Sequence, residues 1–475
     1  MIDNKMGDSG MEDNRIQDNR MEDKEDYLST LNERQLDAVT TTEGYVRIIA
    51  GAGTGKTKAL THRYAYLVNE LGISTSNILC VTFTNKAARE MSKRIRQMIG
   101  DSDTGYICTF HGFCVKLLRE DIHAINFPQN FVVMDDEDTE EILKTVYENA
   151  HIQSRTYTFD SARDHITALK SQMLHIPYLA EIGNEKLLAD YEKAEKVEDK
   201  VFLGYLYEQK KVYGLDYDDL ITIALYILQT DEMKRIKWQE RMMYVMVDEF
   251  QDVSNSQYAL AEILSGYHRN LFIVGDPDQT IYTWRGAQIE YILEFDETHE
   301  NTRTIFLDMN YRSTPEILAV SNSLIEKNKK RLPHRLEAYK ESGRRPIYIH
   351  SRTTGDEAQW MTSEIQRLVS EGASYNEMAV LYRSHFVSRN IEESFIKAKI
   401  PYTLYSGVEF YKRKEIKDVL AYLRMIVYSD DLSFRRVINE PKRNFGKKRM
   451  ALVKAYAESH RCSLYNSLLD ILEDK

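Results

Sequence analysis

The fold of this chain is decided by residues 46–57, which read VRIIAGAGTGKT. Residues 46–49 are mostly apolar and predict a short buried strand, and the residues from Lys58 onward predict a helix. The glycine-rich turn between them lets backbone amides point at one group of oxygens. Strand, tight loop and helix are the context of a phosphate-binding loop, in which a lysine reaches the β- and γ-phosphates and a hydroxyl binds Mg²⁺. The pattern assigns these roles to Lys56 and Thr57.

The composition excludes several classes of protein. The chain has 475 residues and a formal net charge of −11, and its length predicts about three domains of ~150 residues. Residues 1–26 hold nine acidic and four basic residues, and their polar, repetitive sequence predicts a disordered acidic tail. The net charge gives no indication of nucleic acid, so any basic track must be local.

The cysteines and the hydropathy also narrow the possibilities. The four cysteines form no CxxC pair and no Cys/His cluster, which argues against structural zinc and a disulfide framework. No apolar run reaches ~18 residues, and the N-terminus lacks the apolar centre of a signal peptide. We therefore expect a cytoplasmic protein without a membrane span.

Apolar runs typical of strands alternate with helical patterns in two parts of the chain, which predicts parallel sheets. In the first part the predicted strands are residues 46–49, 78–81, 106–108, 241–247, 271–274 and 305–307. In the second part they are residues 346–349, 378–382 and 402–405. Residues 115–213 have almost no strand signal, which predicts a helical insertion in the first part.

Polar residues follow two of these strands. Ligands of doubly wound sheets lie at the carboxyl ends of the strands. Asp248 and Glu249 come directly after one strand, and we assign Asp248 to Mg²⁺ and Glu249 to the general base that activates water. Gln279 follows the next strand and is a candidate for orienting the attacking water or sensing the γ-phosphate.

The segment that follows Gln279 contains Tyr282, Trp284 and Arg285. Two interpretations are equally compatible with these residues. In one, the side chains stack on unpaired bases and contact phosphates. In the other, the aromatic residues anchor the loop in the core.

Taken in order, these stretches resemble the motifs of superfamily-1 helicases of the UvrD/Rep/PcrA type, over about residues 26–449. Residues 31–35 resemble the Q motif, 50–57 motif I, 82–88 motif Ia, 109–112 the next DNA-contacting motif, 215–220 the segment that returns from the insertion, 247–252 motif II, 275–287 motif III and 310–313 motif IV. Eight motifs in the correct order and spacing make the resemblance highly specific.

The resemblance implies ATP and Mg²⁺ as cofactors. It implies that Gln35 reads the adenine edge, that Tyr311 stacks on adenine and that Arg312 reaches the γ-phosphate. The nucleotide-binding residues are then Gln35, Ala50, Gly51, Ala52, Gly53, Thr54, Gly55, Lys56, Thr57, Lys58, Tyr311 and Arg312. The catalytic residues are Lys56, Asp248, Glu249, Gln279 and Arg312, and the metal ligands are Thr57 and Asp248.

The resemblance also implies a path for single-stranded DNA, in which Phe83 pockets a base and Trp284 is the base-stacking wedge. The residues expected to contact DNA are Phe83, Asn85, Thr109, His111, Tyr217, Tyr282, Trp284 and Arg285. The expected partners are single-stranded DNA and single/double-strand junctions, together with repair or replication proteins.

The implied fold class is α/β, with RecA-like P-loop NTPase motor domains that carry helical insertions. The first motor domain is predicted at residues 27–114 and 214–308, and its insertion at residues 115–213. The first part of the second motor domain is predicted at residues 309–406, and the start of a second insertion at residues 407–475.

The implied activity is ATP-driven 3′-to-5′ translocation on single-stranded DNA with strand separation, in repair, replication or recombination. Three departures from the family pattern stand out: Lys58 in place of an arginine, Asn444 in place of a glycine, and no stretch that resembles motif V or motif VI. We therefore expect part of the second motor domain to be missing. The alternatives are a truncated protein that binds ATP and DNA without unwinding, and the helicase subunit of a recombination nuclease.

Overall fold

The computed structural model describes residues 27–100, 103–384, 387–405 and 414–473. The predicted acidic tail, residues 1–26, lies outside the described residues. The chain divides into two compact units, residues 1–344 and 345–475. The domain limits predicted from the sequence stay predictions.

A six-stranded parallel sheet forms the centre of the first unit. Its strands are β1 (Tyr45–Ala50), β2 (Ile78–Thr82), β3 (Tyr106–Thr109), β6 (Tyr244–Val247), β7 (Leu271–Gly275) and β8 (Arg303–Leu307). They lie in the order β3-β2-β6-β7-β1-β8, and every neighbouring pair is parallel. Each strand predicted for the first part of the chain is therefore present.

Helices cover both faces of this sheet, because successive strand residues point to opposite sides. Ile48 packs in one apolar cluster with Leu60 and Ile95, and Ile49 packs in another with Phe113. Burial on both faces explains why these strands are nearly continuous apolar runs. The helices that belong to this part are α1 (Glu33–Thr40), α2 (Lys56–Asn69), α3 (Asn85–Ile99), α4 (Phe110–Asp121), α10 (Tyr217–Thr230), α11 (Glu232–Arg241), α12 (Asn255–Ser265), α13 (Glu290–Leu293) and α14 (Phe295–Thr298).

A helical subdomain lies between α4 and α10 in the sequence. Its helices are α5 (Asp136–Asn149), α6 (Phe159–Ser171), α7 (Ile176–Ala180), α8 (Asn184–Lys193) and α9 (Val197–Lys211). Four of them, α5, α6, α8 and α9, share an apolar cluster of their own, whereas Ile176 and Leu179 of α7 pack in the cluster of the sheet domain. Two short strands, β4 (Val132–Val133) and β5 (Gly214–Leu215), pair in parallel where the chain enters and leaves this subdomain.

The first unit ends with β9 (Met309–Asn310), α15 (Pro315–Ile325) and β10 (Glu337–Ala338), and β9 pairs with β10. The described part of the second unit is helical. Its helices are α16 (Thr354–Ser370), α17 (Ser388–Lys397), α18 (Lys414–Tyr428), α19 (Asp431–Val437), α20 (Lys447–His460) and α21 (Leu464–Glu473).

The strands predicted at residues 346–349, 378–382 and 402–405 are not formed, so this prediction was wrong for the described residues. A strand exists only when a neighbouring strand pairs with its backbone groups. Tyr348 is 86% exposed and Leu381 is 94% exposed, and among the described residues no strand pairs with these runs. No helix in the described part of the chain is both long and apolar enough to cross a membrane.

Candidate nucleotide and DNA site

The glycine-rich loop lies between the end of β1 and the start of α2. Gly53 and Gly55 have φ angles of +78° and +90°, in the left-handed region that favours glycine. Thr54 closes the turn, because its hydroxyl donates to the Gly51 carbonyl at 2.9 Å. Helix α2 begins at Lys56, two residues earlier than predicted, because Gly55 serves as its N-cap. Lys56 and Thr57 therefore lie in the first helical turn, where backbone amides favour an anion.

The two acidic residues after β6 lie beside this helix. The Lys56 ammonium is 3.2 Å from Glu249 Oε2. Asp248 is 7% exposed, and burial, followed by the charge of Glu249, raises its pKa to about 6. Thr82 donates to Asp248 Oδ2 at 3.2 Å, but the buried Asp248 Oδ1 has no hydrogen-bond partner. Asp248 and Thr57 line the same cavity. Because Mg²⁺ prefers hard oxygen ligands, the unpaired Asp248 oxygen and the nearby Thr57 are suited to bind it.

A cavity of about 360 Å³ joins several of the predicted residues. Its walls include Thr57, Asp248, Glu249 and Gln279, and also the aromatic Phe83 and Tyr282. The Gln279 amide donates to Asp276 Oδ2 at 2.5 Å. The carboxylates assigned to hydrolysis and two aromatic residues assigned to DNA thus line one space.

Gln35, in the first turn of α1, contacts the same loop. It is 2% exposed, and its amide donates to the Thr54 carbonyl at 2.9 Å. Its Oε1 accepts from the backbone of Asn32, while Asn32 Oδ1 accepts from the Gln35 backbone at 2.8 Å. This capping box starts α1 and holds the Gln35 amide against the phosphate loop.

Tyr311 and Arg312 are brought to the same loop by Asn310, which begins the motif IV stretch but has no predicted role. Asn310 donates to the Ala52 carbonyl at 2.5 Å, and its Oδ1 accepts from the Arg312 backbone at 2.9 Å. The Tyr311 backbone amide donates to the Gly53 carbonyl at 2.9 Å. A Cβ on Gly53 would lie 2.6 Å from Arg312 Cβ, so this approach requires glycine. The sequence signal for Asn310 was its place as the first residue of the stretch that resembles motif IV.

The remaining nucleotide-site residue, Lys58, extends away from the phosphate loop. Its ammonium donates to the Thr30 carbonyl at 2.5 Å. Burial lowers the pKa of Lys58. The side chain thus ties α2 to the segment that precedes α1.

The aromatic residues assigned to DNA form two groups. Phe83 and Tyr282 are stacked, with ring centroids 4.7 Å apart, and Trp284 lies 6.4 Å from Tyr282. Trp284 is 68% exposed, so it does not anchor its loop in the core. In the other group, His111 and Tyr217 are in edge contact at 5.6 Å.

The polar residues assigned to DNA have local roles as well. The Thr109 hydroxyl accepts from the Gly112 backbone at 3.1 Å and caps α4. Asn85 is the first residue of α3. Burial lowers the pKa of His111, which favours its neutral form. The side chain of Arg285 lies outside the described residues.

Comparison with known proteins identifies the family. Residues 31–300 match the UvrD/REP helicase N-terminal domain, and residues 305–475 match the UvrD-like helicase C-terminal domain. The chain is 40% identical over 443 residues to the ATP-dependent DNA helicase PcrA of Staphylococcus aureus (strain Mu50), which covers 93% of this chain and 60% of the relative. The PcrA of Staphylococcus epidermidis (strain RP62A) is 39% identical over 446 residues, which covers 94% of this chain and 60% of the relative.

The chain thus spans about 60% of the length of these curated relatives. The parallel sheet flanked by helices and the family match confirm the predicted RecA-like α/β fold class. The chain belongs to the UvrD/Rep helicase family.

Proposed function

We propose that this protein is an ATP-dependent motor that translocates 3′ to 5′ along single-stranded DNA and separates strands at single/double-strand junctions. One observation carries the proposal: the phosphate-loop helix, the Asp248–Glu249 pair and the Phe83–Tyr282 stack line one cavity. A nucleotide at the loop and a base at the stack would therefore be close neighbours. Action in repair, replication or recombination and a cytoplasmic location belong to the same proposal.

The proposed chemistry follows from the side chains around the loop. Lys56 exchanges its contact with Glu249 for the β- and γ-phosphates, which frees the carboxylate to take a proton from water. Thr57 and Asp248 would hold Mg²⁺, which neutralises charge on the phosphates. Gln279 orients the water, and Arg312 contacts the γ-phosphate from the segment that Asn310 attaches to the loop.

The proposed DNA contacts are mainly stacking contacts. A single strand offers the π-face of each base, and stacking tolerates any sequence. Phe83 and Tyr282 already stack on each other, and the exposed Trp284 ring extends this aromatic surface. We assign Trp284 to the wedge at a junction.

The test is a pair of assays on the purified chain. ATP hydrolysis is measured with and without single-stranded DNA, and unwinding is measured on duplexes with a 3′ or a 5′ single-stranded tail. We expect single-stranded DNA to stimulate ATP hydrolysis, and we expect the chain to unwind the 3′-tailed duplex but not the 5′-tailed duplex. A chain that binds ATP and DNA but neither hydrolyses nor unwinds would contradict the proposal, as would a preference for the 5′ tail.

A further inference from the structure

Gln251 connects the proposed catalytic base to the segment after β7. Its Nε2 donates to Glu249 Oε2 at 2.9 Å, and its Oε1 accepts from the Asp276 backbone at 3.0 Å. Gln251 is 2% exposed, so water does not compete for these bonds. A single buried amide thus holds both the Glu249 carboxylate and the start of the segment that contains Gln279.

Asp252 contacts the other end of the same segment. It is 8% exposed, and burial raises its pKa while the Ile281 backbone amide stabilises its charged form. Ile281 directly precedes Tyr282, which stacks on Phe83. Two consecutive residues therefore hold the two ends of residues 276–281, with the aromatic stack at one end.

Close packing makes this connection stiff. A Cβ added to Gly275 would lie 2.5 Å from Gln251 Oε1, so no space separates the amide from β7. Beyond the aromatic residues, Ser254 forms a bridge with Ala287, and the Gln288 backbone donates to the Val253 carbonyl at 3.1 Å. Residues 249–254 and 276–288 are therefore joined near both ends of the shorter segment.

We propose that Gln251 is a positioning residue that couples the orientation of Glu249 to residues 276–282, so that a base bound at the Phe83–Tyr282 stack changes the rate of ATP hydrolysis. This inference rests on the proposed function. Lys56 and Gln251 both contact Glu249 Oε2. When the Lys56 ammonium moves to the phosphates of ATP, the Gln251 amide continues to orient the Glu249 carboxylate.

Two substitutions at Gln251 separate its two bonds. Gln251→Leu removes both bonds, whereas Gln251→Glu keeps an acceptor for Asp276 and loses the donor to Glu249. We expect either change to lower DNA-stimulated kcat by roughly 10- to 100-fold, because misplacement of a reacting group by about 1 Å costs that much. We expect the KM for ATP and the affinity for single-stranded DNA to stay within a factor of two of the parent.

The split between kcat and KM distinguishes positioning from a general structural role. A misplaced Glu249 carboxylate slows hydrolysis but leaves the phosphate loop intact, so kcat should fall while the KM for ATP does not change. Gln239→Leu is the matched control, because the Gln239 amide donates to the Ile263 carbonyl at 2.7 Å on other elements. It should leave kcat, the KM for ATP and the stimulation by single-stranded DNA unchanged.

The outcomes separate this inference from the proposed function. A parent chain without any DNA-stimulated ATPase overturns both. A stimulated parent whose Gln251→Leu and Gln251→Glu variants keep its DNA-stimulated kcat overturns only the role of Gln251. If Gln251→Leu does not fold, as judged by circular dichroism, Gln251→Glu decides by kcat and by the KM for ATP.

Discussion

Asp248 affects stability and metal binding in opposite ways. Burial raises its pKa to about 6 in the folded protein, above its ordinary value of 3.8. Below pH 3.8 the carboxyl is protonated in both folded and unfolded chains, so it has no effect on the free energy of unfolding. Above about pH 6 the folded chain must hold a buried charge, and this penalty is fully present. Stability due to this group therefore falls as the pH rises from about 4 to 6.

Asp248→Asn removes that penalty. Without Mg²⁺, we expect the variant to be more stable than the parent at pH 8 by up to about 3 kcal/mol, and equally stable at pH 4. Mg²⁺ should raise the unfolding temperature of the parent and not that of the variant, since a ligand stabilises only the state that binds it. Thermal unfolding at both pH values, with and without Mg²⁺, measures both effects. A variant that is less stable than the parent at pH 8 without metal would contradict the prediction.

Lys56→Ala should abolish ATP turnover. The lysine supplies positive charge to the β- and γ-phosphates, and such a contact is worth roughly 10²-fold or more in rate. Steady-state phosphate release measures the loss. Lys144→Ala is the control, because Lys144 pairs with Glu140 on the surface of α5 and belongs to no assigned site. Turnover of the Lys56 variant within a factor of two of the parent would exclude the assigned role.

Glu249→Gln should keep the binding of ATP and DNA and stop hydrolysis. The amide has the shape of the carboxylate and still accepts from Lys56, but it cannot take a proton from water. Nucleotide affinity and product formation are measured on the same preparation. If nucleotide affinity collapses together with turnover, the role of Glu249 is structural instead.

At the scale of elements, the segment between β7 and α13 carries the aromatic surface. Its Tyr282 is stacked on Phe83, whereas its Trp284 is exposed. Because Asp276 and Ile281 of this segment contact Gln251 and Asp252, the aromatic surface is held close to the hydrolysis site, while Trp284 remains accessible.

Trp284→Ala should weaken binding of single-stranded DNA by about 1–3 kcal/mol, as expected for a stacked base. For parent and variant, affinity should fall steeply with salt, because phosphate contacts dominate. Fluorescence anisotropy of a labelled single strand measures both. Tyr267→Ala is the control, since Tyr267 is a 59% exposed aromatic residue that belongs to neither of the two aromatic groups assigned to DNA. A folded Trp284 variant with unchanged affinity would falsify the stacking role.

At the scale of the whole molecule, a buried charge cluster attaches the helical subdomain to the sheet domain. Lys170, on α6, is fully buried and lies 2.5 Å from Asp216 and 2.8 Å from Asp219, at the start of α10. Burial opposes ionisation of Asp216, yet the Lys170 ammonium lowers its pKa. The buried His175, 3.2 Å from Asp219, has its pKa lowered to about 3 by burial and by Lys170, so it stays neutral.

Lys170→Met should therefore destabilise the protein by about 3–5 kcal/mol, because removing one partner leaves buried carboxylates without compensation. Thermal unfolding at pH 7 measures the change. Lys144→Met is the control, because Lys144 pairs with Glu140 on the surface of α5, where an ion pair contributes about 0–1 kcal/mol. Equal unfolding temperatures for the two variants would show that the cluster does not hold the subdomain in place.

Local sequence was sufficient for the central sheet and for the phosphate loop. The strands of the first unit are apolar runs because they are buried on both faces, and Gly53 and Gly55 mark the positive φ angles that the turn requires. Both the apolar runs and the glycines lie within a few residues of the structure that they specify. The order and spacing of the motifs indicated the family, since both can be read directly from the sequence.

Only the tertiary structure decided which groups meet. The runs at residues 346–349 and 378–382 have the composition of strands, but no strand in the described part of the chain pairs with them, and pairing depends on a distant segment. Asn310 reaches the phosphate loop from 258 residues away, and Gln251 joins Glu249 to a backbone amide 25 residues further on. A hydrogen bond between distant residues leaves no periodic trace in sequence, because its partners are selected by packing and not by local backbone preference.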